Sequence, residues 1–231
     1  FLTDEKYDQW LKLLDYENSL PKQAFTFSAP AGVWALMQVL EDLGISFSRI
    51  MHMGSRLRMG NTNGFKPDQH YSTYVHYRGA QPHSKRAVLI RFQSIVRDVT
   101  GHEVMNLEDE LYVAGLQDEV VKNMTVEAAP KERRATQSAL ATNSMADKIP
   151  MQIKREMVQK YGKLSGDLNP LHISSIGTRL FGHKKSFVQG LCTLNLIVAE
   201  LGKHWQGSIK SIDIRFLRPV SQPSKVTLLC T

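Results

Sequence analysis

An aspartate and a histidine stand five residues apart in the stretch KLSGDLNPLHISS, as Asp167 and His172 on either side of an Asn169-Pro170 step. Gly166 permits a tight turn, and the residue ahead of a proline is biased away from helix, so both side chains can be carried on one side of a loop. A carboxylate and an imidazole within hydrogen-bond reach of one water can remove a proton from that water and deliver one to carbon, the imidazole having an unperturbed pKa of about 6.5. A plainer reading makes Asp167 a turn former and His172 a loop histidine. A third component lies downstream. The segment FVQGLCTLNLIVAELGKHW (187–205) is apolar on nearly every face, as a buried helix requires. Near Gln189-Gly190 its first backbone N–H groups have no partner within the helix and carry the positive end of the dipole, and Gly190 lets a carbonyl oxygen approach them, as in an oxyanion hole. The alternative for Gly190 is a close-packing point for the helix.

These groups need a scaffold. An earlier segment, SAPAGVWALMQVLEDLG, predicts another buried helix over Ala31–Leu43, with Ser28 as cap, Pro30 in the first turn and Gly44 as stop. Strand-like segments follow it: SFSRIMHMGSRLRM, HYSTYVHYR, KRAVLIRFQSIVRD after a turn at Gln81-Pro82-His83, and HEVMNLEDELYVAG. The same order returns after the second helix, with SIKSIDIRFLRPV, a turn at Ser221-Gln222-Pro223 and the strand KVTLLC. Between the two units, EAAPKERRATQSALATNSMADK has no strand periodicity and reads as a linker over 127–148. The expected division is therefore 1–126, the linker, and 149–231, each half an antiparallel sheet wrapped about a central apolar helix, with the sheets joined edge to edge. The second unit stops two strands early. With a first residue other than Met, this suggests that both true ends are missing.

Composition narrows the function classes. With 42% hydrophobic and 22% charged residues, the 231-residue chain can bury a sizeable core. No apolar run is long enough to span a membrane, and FLTDEKYDQW lacks the layout of a signal peptide, so the chain reads as intracellular, cytoplasmic or peroxisomal. Cys192 and Cys230 lack metal-ligand spacing and read as packing residues. The net charge of +7 is scattered, apart from HSKR and KERR, with no nucleic-acid-binding signature. A basic surface also suits a polyphosphorylated substrate.

The segment YGKLSGDLNPLHISS followed by GTRLFGHKKSFVQGLCTL resembles the signature of the MaoC-like hydratase/dehydratase family, which includes the (R)-specific enoyl-CoA hydratases. The resemblance covers roughly residues 150–229, and more weakly the amino-terminal half of double-hotdog members. It implies an α+β double hotdog and reversible addition of water across a trans-2-enoyl thioester carried on coenzyme A or acyl carrier protein, with no metal or redox cofactor. It further implies that Asp167 and His172 hold and activate the water, that the Gly190 N–H polarises the thioester carbonyl, and that Asn169 fixes the loop. Gln189 stands where many members have His. Lys184 and Lys185 would suit the carrier's phosphates or acidic surface. The first half lacks the motif and is expected to be catalytically silent, shaping the acyl tunnel. The assembly would be a homodimer or a monomeric double hotdog. A hotdog thioesterase, which would want a carboxylate near Gly190 where the helix offers only distant Glu200, and a non-catalytic acyl-binding module are the competing classes.

Overall fold

The computed structural model describes residues 4–13, 35–42, 44–45, 49–60, 68–123, 147–180, 182–204 and 209–230. The first half supplies helices α1 (Asp4–Leu13) and α2 (35–42), strands β1 (Ile50–Met59), β2 (Ser72–Ser84), β3 (Ala87–Arg97) and β4 (Glu103–Ala114), and the short α3 (Asp118–Asn123). The second half supplies β5 (Asp147–Ile153), α4 (Arg155–Ser165), α5 (Pro170–Ile173), α6 (Ser175–Leu180), α7 (Gly190–His204), β6 (Ser211–Arg215) and β7 (Ser224–Cys230). All strand pairings are antiparallel.

Five strands form one sheet in the order β2-β3-β4-β1-β6, so a strand of the second half closes onto the first half's sheet. β5 and β7 form a ladder of their own, where a single continuous sheet was expected. Alternation places Met105, Leu107, Asp109, Leu111 and Val113 of β4 on one buried face. Two apolar clusters share that face. Leu36 and Leu40 of α2 pack with Ile90 and Phe92 of β3 and with Leu111 and Val113, whereas Leu191, Leu194 and Val198 of α7 pack with Leu57, Met105, Leu107 and Ile153. Asp109 interrupts the row where one cluster gives way to the other.

The seam between the halves depends on a close backbone approach. β1 is bulged between His52 and Gly54, and Gly54 then faces Arg215 of β6. A Cβ at Gly54 would stand 2.7 Å from the Ile214 carbonyl oxygen, a contact with backbone that no rotamer relieves. Gly54→Ala is therefore expected to destabilise the fold by about 1–3 kcal/mol, read as a lowered midpoint in chemical denaturation. An unchanged midpoint would show that the strands part without cost.

Some expected boundaries shift. The chain reverses at Lys85-Arg86, and Gln81, Pro82 and His83 belong to β2. β2 is an edge strand, where a proline's missing donor is tolerated, so a turn-like triplet sits in a ladder. Of the expected linker, residues 127–146 lie outside the described residues, and Asp147 and Lys148 already belong to β5. The expected helix Ala31–Leu43 is described over 35–42 only. Among the described residues, no helix is long and apolar enough to cross a membrane.

Candidate active site

α4 turns Val158, Tyr161, Gly162 and Ser165 inward at helical spacing and ends on Gly166, whose φ of 78° is the left-handed conformation that glycine adopts without penalty. The next residues are held by local bonds. The Asp167 N–H donates to Ser165 Oγ at 3.2 Å, and the Asn169 N–H to Asp167 Oδ1 at 3.3 Å. Asn169 Oδ1 accepts from the Leu171 N–H at 3.0 Å, capping α5 with Pro170 in its first turn. The turn-former reading thus describes part of what Asp167 and Asn169 do. It leaves Asp167 still lining a cavity.

His172 is fixed from behind. Its Nδ1 lies 2.9 Å from the Phe187 carbonyl oxygen, and its ring packs edge-on against the Phe187 ring with centroids 5.1 Å apart. A carbonyl can only accept, so Nδ1 carries the proton of the neutral imidazole and Nε2 keeps a lone pair. The Gln222 side-chain amide donates to the backbone oxygen of His172 and, at 3.4 Å, to that of Phe187, tying the β6–β7 connection to the same point.

The cavity draws on both halves. Tyr161, Ser165, Asp167, Asn169, His172, Gly190 and Leu191 line it from the second half, and Leu36, Met37, Leu40, Ile50, His52, Asp109 and Leu111 from the first. A neighbouring groove runs between Met51, Met53, Phe187, Thr193 and residues 216–220, and shares Ile50, His52, His172 and Gly190 with the cavity. Those four residues form the neck between the two spaces. Gly190 opens α7, so its N–H has no acceptor within the helix. A Cβ there would lie 2.9 Å from the Phe216 ring, which gives Gly190 the close-packing role as well.

Other expected site residues lie elsewhere. Gln189 is 1% exposed and lines neither space; its Nε2 sits 3.5 Å from the Asp167 carbonyl oxygen. Lys184 and Lys185 are exposed and also outside both linings. Glu200, near the far end of α7, pairs with Lys203 and His204. Cys192 is buried, and desolvation with the nearby Asp167 charge pushes its thiol up, so it stays protonated. The side chain of Cys230 lies outside the described residues.

Three cavity groups, and a serine bonded to one of them, were not legible as such in the sequence. Tyr161 is fully buried, accepts from Asn195 Nδ2 at 3.3 Å, and has its phenol raised by desolvation and by Cys192 and Asp167, so it remains a neutral hydroxyl. From the first half, Ser55 Oγ donates to Asp109 Oδ1 at 2.6 Å and His52 Nε2 stands 2.9 Å from the same oxygen, while His52 and Asp109 line the cavity. One signal was available: Asp109 is the lone charge in the inward row of an alternating strand. Among the described residues, no three His, Cys, Asp or Glu side chains group as metal ligands would.

Comparison with known proteins gives a family match for the second half of the chain and the fold of the whole. Residues 127–230 match the family described as MaoC like domain. Over 78 residues the chain is 40% identical to the 3-hydroxyacyl-thioester dehydratase Y of Mycobacterium tuberculosis; that stretch is 32% of this chain and 27% of the relative's length. The crystal structure of HtdX of Mycobacterium tuberculosis superposes with a TM-score of 0.66 at 14% identity, covering 97% of this chain and 83% of that one. A double-hotdog protein from the same organism superposes at 0.56 and 12% identity, covering 98% and 78%. The fold is the α+β double hotdog.

Proposed function

Because residues 127–230 match the MaoC like domain, we propose that this chain hydrates trans-2-enoyl thioesters to (R)-3-hydroxyacyl thioesters, or runs the reverse dehydration. The observation that carries the reading is the contact of His172 Nδ1 with the Phe187 carbonyl: it commits that nitrogen and leaves Nε2 to act in a cavity that Asp167 and the first residue of α7 also line. In the hydration direction the thioester oxygen lies at the Gly190 N–H. A water between Asp167 and His172 loses a proton to this pair as its oxygen bonds to C3. The electron pair of the double bond moves toward the thioester oxygen, giving an enolate that the Gly190 N–H stabilises, and C2 then takes a proton. Dehydration is the same path reversed, with C2 deprotonated and water leaving C3.

The remaining assignments follow from position. Leu36, Met37 and Leu40 of α2 make the first half, over 1–126, the wall of the acyl tunnel, with no proton-transfer task. The groove beyond the neck takes the pantetheine arm of coenzyme A or acyl carrier protein, and the exposed Lys184 and Lys185 lie outside it, where a carrier's charge would be met in solvent. Asn169 holds the loop. Gln189 acts from beneath, through the Asp167 backbone. Glu200, engaged by Lys203 and His204 and away from both spaces, gives hydrolysis no carboxylate. The test is loss of the enoyl-thioester absorbance with crotonyl-CoA and a longer homologue, with chiral analysis of the product. Release of free thiol, or no reaction with either substrate, would overturn the proposal.

A further inference from the structure

We propose that Asp109, with Ser55 and His52, forms a subsite for a hydroxyl group on the acyl chain of the thioester; this rests on the reading of the cavity as an acyl-thioester site. The cluster is built by a defect in β1. His52 and Ser55 are three residues apart, and strand alternation would send them to opposite faces, but the bulge between His52 and Gly54 turns both toward Asp109. Asp109 itself is 2% exposed and lies between Leu107 and Leu111 on the inward face of β4.

The cluster's hydrogen-bonding capacity is not exhausted. Both donors converge on Asp109 Oδ1, from Ser55 at 2.6 Å and His52 at 2.9 Å, and Oδ2 has no partner among the described residues. His52 Nε2 also stands 3.0 Å from the Gly54 carbonyl oxygen, which can only accept, so Nε2 carries a proton directed into the cluster. His52 lies at the neck and Asp109 on the cavity side of it. One carboxylate oxygen without a donor thus stands beside a space whose other first-half walls are Leu36, Met37, Leu40, Ile50 and Leu111. A plain alkyl chain would leave the carboxylate oxygen desolvated and unpaired. A hydroxyl supplies the missing donor, whereas a keto group at the same carbon offers only another acceptor.

That asymmetry defines the experiment. Saturated acyl-CoAs of one chain length, which cannot be hydrated, are compared by calorimetry as the unsubstituted chain, a series hydroxylated at successive carbons beyond C3, and the oxo counterparts. At one position the hydroxylated chain is expected to bind about tenfold or more tighter than either the plain or the oxo chain, as one hydrogen bond to a buried carboxylate implies. Asp109→Leu and the shape-conserving Asp109→Asn should each reduce that ratio. If Asp109→Leu does not fold, Asp109→Asn and Ser55→Ala carry the comparison, because each affinity ratio is taken within one folded protein. Equal binding of hydroxylated and plain chains at every position, or a preference that survives both Asp109 variants, would overturn the inference. Failure of the hydratase reading looks different: crotonyl-CoA is left unchanged while the binding ratio stands.

Discussion

His172→Ala and Asp167→Asn should each lower the turnover of crotonyl-CoA by about 100-fold or more, the usual scale for removing a general acid or base. The double variant should be little worse than either single one, because in the proposed mechanism the two groups act on the same water. The structure also says what else each change removes. His172→Ala deletes the bond from Nδ1 to the Phe187 carbonyl, which keeps the Gln222 amide as a donor, so the segment stays tied. Asp167→Asn retains a side-chain oxygen able to accept the Asn169 N–H. Thermal stability measured beside the rate separates chemistry from loop geometry. A folded variant with wild-type turnover would remove that residue from the mechanism.

Gly190→Pro should cost about 3 kcal/mol or more of transition-state stabilisation, the scale for losing one oxyanion donor. Proline is tolerated in the first turn of a helix, so α7 can still form. Any Cβ at this position meets the Phe216 ring, however, and crowding must be separated from the lost donor. Gly190→Ala supplies the crowding alone, and a Phe216→Leu background relieves it for both variants. The informative quantity is the rate gap between Pro and Ala in that background. No gap would mean that the carbonyl is held elsewhere.

The parts of the fold legible in the sequence are those where one residue pattern dominates. α7 is apolar all round, β3 and β4 alternate cleanly, and the Gly-Asp-x-Asn-Pro-x-His loop carries its own turn chemistry, so each could be placed without knowing its neighbours. β5 was missed because Pro150 interrupts a short strand, which a two-stranded ladder tolerates at its edge. The turn placed at Gln81-Pro82-His83 failed for the same reason. The first half's polar cluster was hidden differently. His52 and Ser55 acquire a common direction only through a bulge, and Asp109 meets them only through the pairing of β1 with β4, neither of which local spacing encodes. The Gly-Asp-x-Asn-Pro-x-His loop is contiguous in the chain and was readable; the opposite wall of the cavity is assembled from distant strands and was not.

The break that Asp109 makes in the inward row of β4 also bears on how the molecule holds together. The α2 cluster and the α7 cluster lean on one sheet but are divided where the cavity opens, so neither completes the other's interior. A bound acyl chain would lie against Leu36 and Leu40 on one side and Leu191 on the other. It would serve as a removable piece of core, joining two packing units that otherwise meet through shared strands. Ligand binding should then slow amide exchange in α2 and α7 together, although the two helices belong to different halves, because a ligand selective for the native state shifts every opening that exposes its site.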